Sequence, residues 1–321
     1  MATLYPVSDA RIVHQLDVGD GHTVYVEEAG VPDGIPIVFL HGGPGSSCKP
    51  SHRQFFNPAR YRNFLLDQRG AGRSRPFGGT TANTTQALVA DLEHLRRMAQ
   101  VEKWVLFGGS WGAALALAYA EAHPTHVLGM ILRGTFLARQ RDLDWFLQDG
   151  AARLLPRAWA EFKNAVQGVG YEIPALHAGV FNTDAALAER VTRAWSKWSG
   201  EVVSFSLEHG DGDPLMPLAE LLAKTQIELH YAVHRYFLDD NQLLANAHRL
   251  PRVPLHIIHG QRDLTCAAEA GWAVHQAVPW STFEVLRTTG HLSGEPLMTE
   301  ALVRAADAML GTLTGDAVSS S

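Results

Sequence analysis

Trp104-Val105-Leu106-Phe107-Gly108-Gly109-Ser110-Trp111-Gly112-Ala113-Ala114-Leu115 decides the fold of this chain. Four apolar residues suit a buried strand, and the Ala/Leu run suits a helix. A strand that turns straight into a helix leaves no room for side chains beside the bend, which explains the glycines at 108 and 112. The residue at the apex is then Ser110, held exposed with its Oγ near a helix N-terminus, where developing negative charge is stabilised. G-x-S-x-G recurs by chance in many sequences. The strand before it and the helix after it make it a nucleophile elbow here.

Working outward, short apolar runs alternate with helical patterns on both sides of this elbow. Strands are expected at residues 22–28, 35–40, 63–67, 104–107 and 127–132, with helices at 84–100, capped by Asn83 or Thr84, and at 113–122. The same rhythm returns with strands at 254–259 and 282–286 and helices at 267–277 and 296–310. Strands alternating with helices predict an α/β fold, here a mostly parallel, doubly wound sheet of the α/β-hydrolase type. Between 137 and 250 strand signals nearly vanish, and helical stretches rich in Trp, Ala and Leu follow at 143–155, 185–198 and 217–238. The expected organisation is a core built from 1–136 and 251–321, its last residues 311–321 a disordered tail, with a helical cap at 137–250 inserted between the halves.

Three further stretches complete the chemistry. His41-Gly42-Gly43-Pro44-Gly45 follows the strand at 35–40, where acyl transfer needs an N–H aimed at the tetrahedral oxyanion. The N–H groups of Gly43 and Trp111 are the expected pair, with His41 supporting the loop. Asp263 follows the strand at 254–259, and His291 follows the one at 282–286. The order Ser, Asp, His is the one this fold uses. Among 16 histidines, position selects His291. His259 lies inside a strand pattern and is expected to be buried. The loop 67–74, DQRGAGRS, reads as a structural turn with pairable charges. His230 and His234 have a zinc-compatible spacing but no accompanying HExxH glutamate, so no metal and no cofactor are expected.

The whole-chain numbers agree. The chain has 321 residues, 46% hydrophobic and 19% charged, enough to bury a core without covalent staples. A net charge of −6 with no basic cluster argues against nucleic acid and anionic membranes. Two cysteines make no disulfide framework, and neither a signal peptide nor a membrane-length apolar run stands out, so a cytoplasmic protein is expected.

With these residues in place, the chain resembles the prolyl aminopeptidase (proline iminopeptidase) family of α/β hydrolases. The likeness rests on LDVGDGH at 16–22, HGGPG at 41–45, DQRGAGRSRP at 67–76, GGSWG at 108–112, LRGTF at 132–136, DNQLL at 240–244, HGQRDLTC at 259–266 and GHLSGEP at 290–296. The resemblance implies cofactor-free release of an N-terminal residue, best proline, from small peptides and arylamides. It further implies a cap carboxylate, Glu228, that receives the substrate's free amine. Arg133 is implied to orient the carboxylates, and Phe136 and Phe146 to cradle the ring. Two positions depart from the family. Ser199 stands where a second glutamate is expected after Trp195 and Trp198, and Ala232 replaces a phenylalanine. These changes suggest a substrate bulkier than proline or less basic at its end. The alternative is an amidase or esterase on a non-peptide small molecule with the same triad. A non-catalytic ligand-binding protein is opposed by the intact triad and oxyanion loop.

Overall fold

The computed structural model describes residues 3–207 and 216–315. Eight strands form one sheet: β1 Ile12–Asp17, β2 Thr23–Gly30, β3 Ile35–Leu40, β4 Tyr61–Asp67, β5 Trp104–Gly109, β6 Val127–Arg133, β7 Leu255–Gly260 and β8 Thr282–Leu286. Their spatial order is β1-β2-β4-β3-β5-β6-β7-β8. β1 and β2 pair antiparallel, as do β2 and β4, and every other pair is parallel. β1 is missing from the sequence expectation. Its residues are largely exposed and only Leu16 is buried, so this edge strand carries little hydrophobic alternation to read.

Parallel strands connected by helices are covered on both faces, so consecutive residues serve two cores. Val38, Leu40 and Leu106 belong to one, packed under the helices α1 Thr85–Met98 and α2 Trp111–Ala122. Ile37, Phe39, Val105 and Phe107 belong to the other, covered by α11 Pro296–Thr314. Helix α1 starts where Thr84 accepts the Ala87 N–H at 3.1 Å. Helix α2 is buried nearly all round, which explains why its sequence is Ala and Leu with no polar face. Helix α11 runs four residues past its expected end, because Leu313 still packs on the second core. Of the expected tail, 311–315 is therefore ordered, and 316–321 lies outside the described residues.

Between β6 and β7 the described residues contain no strand. The helices there are α3 Gln140–Asp144, α4 Ala151–Leu154, α5 Pro156–Ala165, α6 Ile173–Val180, α7 Ala185–Val203, α8 Leu218–Val233 and α9 Gln242–Ala245. Helices α5 and α6 extend the expected set. The single helix expected over 143–155 is interrupted by a π turn at Trp145–Asp149 and by Gly150, whose backbone lies against the Trp145 ring. Helices α5, α7 and α8 share an aromatic and aliphatic core built on Phe162, Trp195, Trp198 and Leu229. Helix α9 instead packs on α2 and on α10 Ala268–Ala277, at the flank of the sheet. No helix among the described residues is long and apolar enough to cross a membrane.

The elbow tolerates no side chain at two of its glycines. A Cβ on Gly108 would lie 2.2 Å from Gly112 O, and one on Gly112 would lie 2.0 Å from Leu40 O. Both obstacles are backbone, one in the first turn of α2 and one in the central strand β3, and cannot swing away. Gly112→Ala is therefore expected to destabilise the protein by about 3 kcal/mol or more, the upper range for overpacking. Urea unfolding followed by circular dichroism checks this, and a loss below about 1 kcal/mol would show that the elbow relaxes.

Candidate active site

The triad residues and the oxyanion loop lie just beyond the C-terminal ends of parallel strands, where an open α/β sheet leaves room for a ligand. Ser110 follows β5, the loop 41–45 follows β3, Asp263 follows β7 and His291 follows β8. Ser110 has φ 57 and ψ −125, a conformation that non-glycine residues avoid unless the surroundings enforce it. Its N–H donates to Arg133 O at 2.9 Å, which ties the elbow to β6.

The imidazole and carboxylate are joined. His291 Nδ1 lies 2.7 Å from Asp263 Oδ2. The other oxygen, Oδ1, accepts the backbone N–H groups of Thr265 at 3.0 Å and Cys266 at 2.8 Å. Burial pushes the Asp263 carboxyl up, but His291 and these donors outweigh it and hold the pKa below the ordinary carboxylate value. Gly134, at φ 51, borders the pair closely, since a Cβ there would meet Asp263 Oδ2 at 3.0 Å and His291 Nδ1 at 3.3 Å. Glu295 fixes the histidine loop by accepting the N–H groups of Gly290 at 2.9 Å and Leu292 at 3.2 Å.

The Ser110 hydroxyl completes no hydrogen bond to His291 in this structure. Its side-chain neighbour is Cys266 Sγ at 3.9 Å. Oγ reaches another staggered position by rotating about a single bond, and catalytic hydrogen bonds often close only around substrate. Cys266 is buried, and that burial pushes its thiol well above the usual range, so it stays protonated and weakly nucleophilic.

Both expected oxyanion donors have free hydrogens. Trp111 opens helix α2, so its N–H has no intrahelical acceptor. Neither it nor the Gly43 N–H donates to another group among the described residues. His41 organises this side. Its Nδ1 faces Gly42 O at 2.9 Å, and its Nε2 accepts the Gln68 N–H at 3.0 Å, an arrangement that needs the neutral ring. Burial lowers its pKa in the same sense. The Gln68 side chain bonds both His41 O and the Trp111 indole, each at 2.9 Å. The loop after β4 is thus a brace between His41, at the start of the oxyanion loop, and Trp111, a role its turn-rich sequence conceals. Arg69 pairs with Asp91, and Arg73 pairs with Asp67 and Glu27.

Helix α8 closes over the site. Ile227 and the Lys224 carbonyl touch Gly45, and the Tyr231 ring lies 5.0 Å from Trp111. Glu228 projects from this helix. Its Oε2 accepts the Trp195 indole N–H at 2.8 Å, and its Oε1 lies 3.8 Å from Lys224 Nζ. Burial raises its pKa, partly offset by Lys224 and Trp195. Ser199 is half-buried one turn beyond Trp195 on α7, with no side-chain hydrogen bond among the described residues.

Two expectations need correction, those for Arg133 and Ala232. Arg133 does not reach Glu228: its guanidinium packs on Gly109 and donates to His291 O, bracing the base rather than the cap carboxylate. Phe146 is half-buried, 5.7 Å from Trp195, whose indole binds Glu228, and 6.0 Å from Trp198. Ala232 is buried in the cluster that holds Trp111, Phe136 and Tyr236, so its small side chain is covered rather than opening a wider pocket. Phe136 packs edge-on against Tyr236 at 5.0 Å, and Tyr236 in turn stacks on Trp111. Tyr236 is the site residue that sequence reading misses, because it sits in a turn where a continuing helix was expected.

His259 is fully buried beside Asp263, with Nε2 2.9 Å from Cys266 O and 3.6 Å from Asp263 Oδ2, and makes no hydrogen bond to Ser110 among the described residues. His230 and His234 direct ring nitrogens at main-chain carbonyls, those of Asn83 and His230. Ligand atoms of Glu93, His123 and His126 come within 4.8 Å of one another. There, however, both Glu93 oxygens already serve Arg96, and one also serves Tyr119, so the place of a cation is taken.

Residues 35–295 match the family model described as the alpha/beta hydrolase fold. The chain is 42% identical to a proline iminopeptidase of Xanthomonas citri, over 96% of this chain and 99% of that one. It is 38% identical to a proline iminopeptidase of Arabidopsis thaliana, over 96% of this chain and 82% of the relative. Among solved structures, a proline iminopeptidase-related protein from Thermus thermophilus superposes with a TM-score of 0.59 at 25% identity, covering 94% of this chain and 99% of that one.

Proposed function

Since this chain belongs to the α/β-hydrolase family and, within it, to the proline iminopeptidases, we propose that it is a serine exopeptidase releasing an N-terminal residue, proline by default, from short peptides or arylamides. Ser110 attacks the first carbonyl while His291 takes its proton, and Asp263 holds the imidazole in the tautomer that permits this. The Gly43 and Trp111 N–H groups receive the oxyanion. His291 then protonates the leaving amine, and water releases the acyl group by the same steps in reverse. No step requires a cofactor. The two cysteines are free and buried, which suits a reducing, cytoplasmic setting.

One observation carries the exopeptidase reading over a general hydrolase. A half-buried carboxylate, Glu228, hangs from the helix that covers the oxyanion loop, and among the described residues Oε1 has only the more distant Lys224 as a partner. A cationic N-terminus entering there finds a fixed anion, and an acylated one finds an unmatched charge. Glu228→Gln is expected to lower kcat/KM for prolyl arylamides about 100-fold while changing hydrolysis of N-acetylprolyl substrates little. Because burial raises the Glu228 pKa, its charge is present above that pKa and lost as pH falls through it. KM for the free amine should therefore rise on the acid side at a pH above the ordinary glutamate value, and this limb should flatten in the glutamine variant. Steady-state kinetics on both substrates across pH provide the test. Equal efficiency on free and acetylated substrates would instead identify an amidase or esterase acting on uncharged small molecules.

A further inference from the structure

After helix α8 the chain makes a turn that sequence rules disfavour. Arg235, Tyr236 and Phe237 have φ values of 51, 55 and 54, three consecutive non-glycine residues in the left-handed region. In each of them Cβ crowds the following carbonyl, so the turn persists only because its surroundings enforce it. Those surroundings are visible. Thr85 and Gln86, in the first turn of α1, donate to the carbonyls of Tyr236 and Phe237. The His234 ring stacks on Phe237 at 5.0 Å.

The turn delivers one side chain to the site. The Tyr236 ring stacks on Trp111 at 5.5 Å and 28°, and meets Phe136 edge-on at 5.0 Å. Only 7% of the residue is exposed, yet its hydroxyl has no hydrogen-bond partner among the described residues. The oxygen is not among the buried polar atoms left without a partner, so it reaches open space instead of being sealed in the core. Burial first, and then the nearby Glu228 and Cys266, raise its pKa, so the hydroxyl stays protonated and lies within the electrostatic reach of both. Cys266 borders the nucleophile, and Glu228 is the candidate amine receptor. The stacking on Trp111 places the phenol beside the residue that follows the nucleophile, just past the end of the helix that carries Glu228.

A protonated prolyl nitrogen carries two N–H groups, and leaving either one buried and unmatched is costly. Glu228 Oε1 can accept one. Ser199, at the place of a second carboxylate in the family resemblance, supplies no anion for the other. Resting on the exopeptidase reading, we propose that the Tyr236 hydroxyl is a specificity-determining contact that accepts a hydrogen bond from the substrate's protonated α-imino or α-amino nitrogen, alongside Glu228. The strained turn is what holds the phenol there.

Tyr236→Phe keeps the ring and its stacking while removing the oxygen. Two substrates are compared in wild type and variant: prolyl 4-nitroanilide, and 4-nitrophenyl cyclopentanecarboxylate, whose ring lacks the nitrogen. The variant should lose about tenfold of its preference for the amine substrate over the ester, carried by KM of the anilide with kcat nearly constant, as expected for one hydrogen bond to a charged group. Equal losses on both substrates, or none on either, overturn the assignment to Tyr236 and leave the exopeptidase reading intact. A wild type that cleaves the ester and ignores the anilide overturns both. The ester rate and the thermal midpoint report on folding, so a collapsed variant is recognised. In that event, a wild type that shows no KM advantage for the prolyl ester over the cyclopentane ester still refutes the contact.

Discussion

Replacing Ser110 by alanine should lower kcat by about 10⁴ to 10⁶-fold on every substrate the protein cleaves, esters included. The size follows from what remains. Binding and the two oxyanion amides survive, so catalysis over water does not vanish, but no acyl-enzyme forms. The fold should survive as well. Alanine keeps the Cβ that already stands 3.2 Å from the nearest possible Gly42 Cβ, and it inherits the same φ of 57 without adding atoms. The thermal midpoint should therefore move by only a few degrees, since a change of about 1 kcal/mol shifts a large domain by about 2–4 °C.

Cys266 makes this experiment sharper. Its sulfur sits 3.9 Å from the serine oxygen and would be the obvious substitute nucleophile once that oxygen is gone. Burial, reinforced by Asp263, keeps it a thiol. With almost no thiolate, it should not rescue the alanine variant at neutral pH. Active-site labelling by a fluorophosphonate, read by intact mass, should be complete in the wild type and absent in Ser110→Ala. A variant that retained more than a few per cent of wild-type turnover would show that another group carries the reaction.

The elbow is readable because the strand–turn–helix bend is written in one short stretch. Gly108 is demanded by the Gly112 carbonyl four residues on, Gly112 by Leu40 of the neighbouring strand, and a serine between two glycines has few structural reasons to be there. The same holds for the loop after β3 and for the strand ends bearing Asp263 and His291, since the topology of a parallel sheet decides where its loops converge. Other parts obey distant partners. β1 is an exposed edge, so hydrophobic pattern says little about it. Tyr236 adopts a left-handed turn that nothing in His234-Arg235-Tyr236-Phe237 advertises, and the restraints come from Thr85 and Gln86, about 150 positions earlier. Arg133 was assigned by resemblance to the amine end, yet its side chain runs beneath the base. A charged residue's position in a motif says that it matters. The direction of its long side chain is decided by packing that the motif does not contain.

Asp263→Asn should be nearly as damaging as loss of the nucleophile, and for a reason visible in its hydrogen bonds. Oδ1 accepts two backbone N–H groups, those of Thr265 and Cys266, and Oδ2 faces His291 Nδ1 at 2.7 Å. An asparagine has one oxygen to offer. Turned toward the amides, it satisfies both donors, which no NH₂ group can do. Its NH₂ then points at His291, where it can only donate, and Nδ1 must become the acceptor. The ring proton moves to Nε2, the nitrogen that has to take a proton from Ser110, so the base is blocked in its resting state. The alternative rotamer would strand two buried N–H groups against an NH₂, at about 1–3 kcal/mol each. The wrong tautomer is thus the ground state, and a loss of about 10⁴-fold in kcat at neutral pH is expected with little change in KM. An ¹⁵N spectrum of the His291 ring distinguishes the tautomers directly. Protonation at Nδ1 in the asparagine variant, or a loss below about tenfold, would mean that Asp263 neither orients the base nor sets its tautomer.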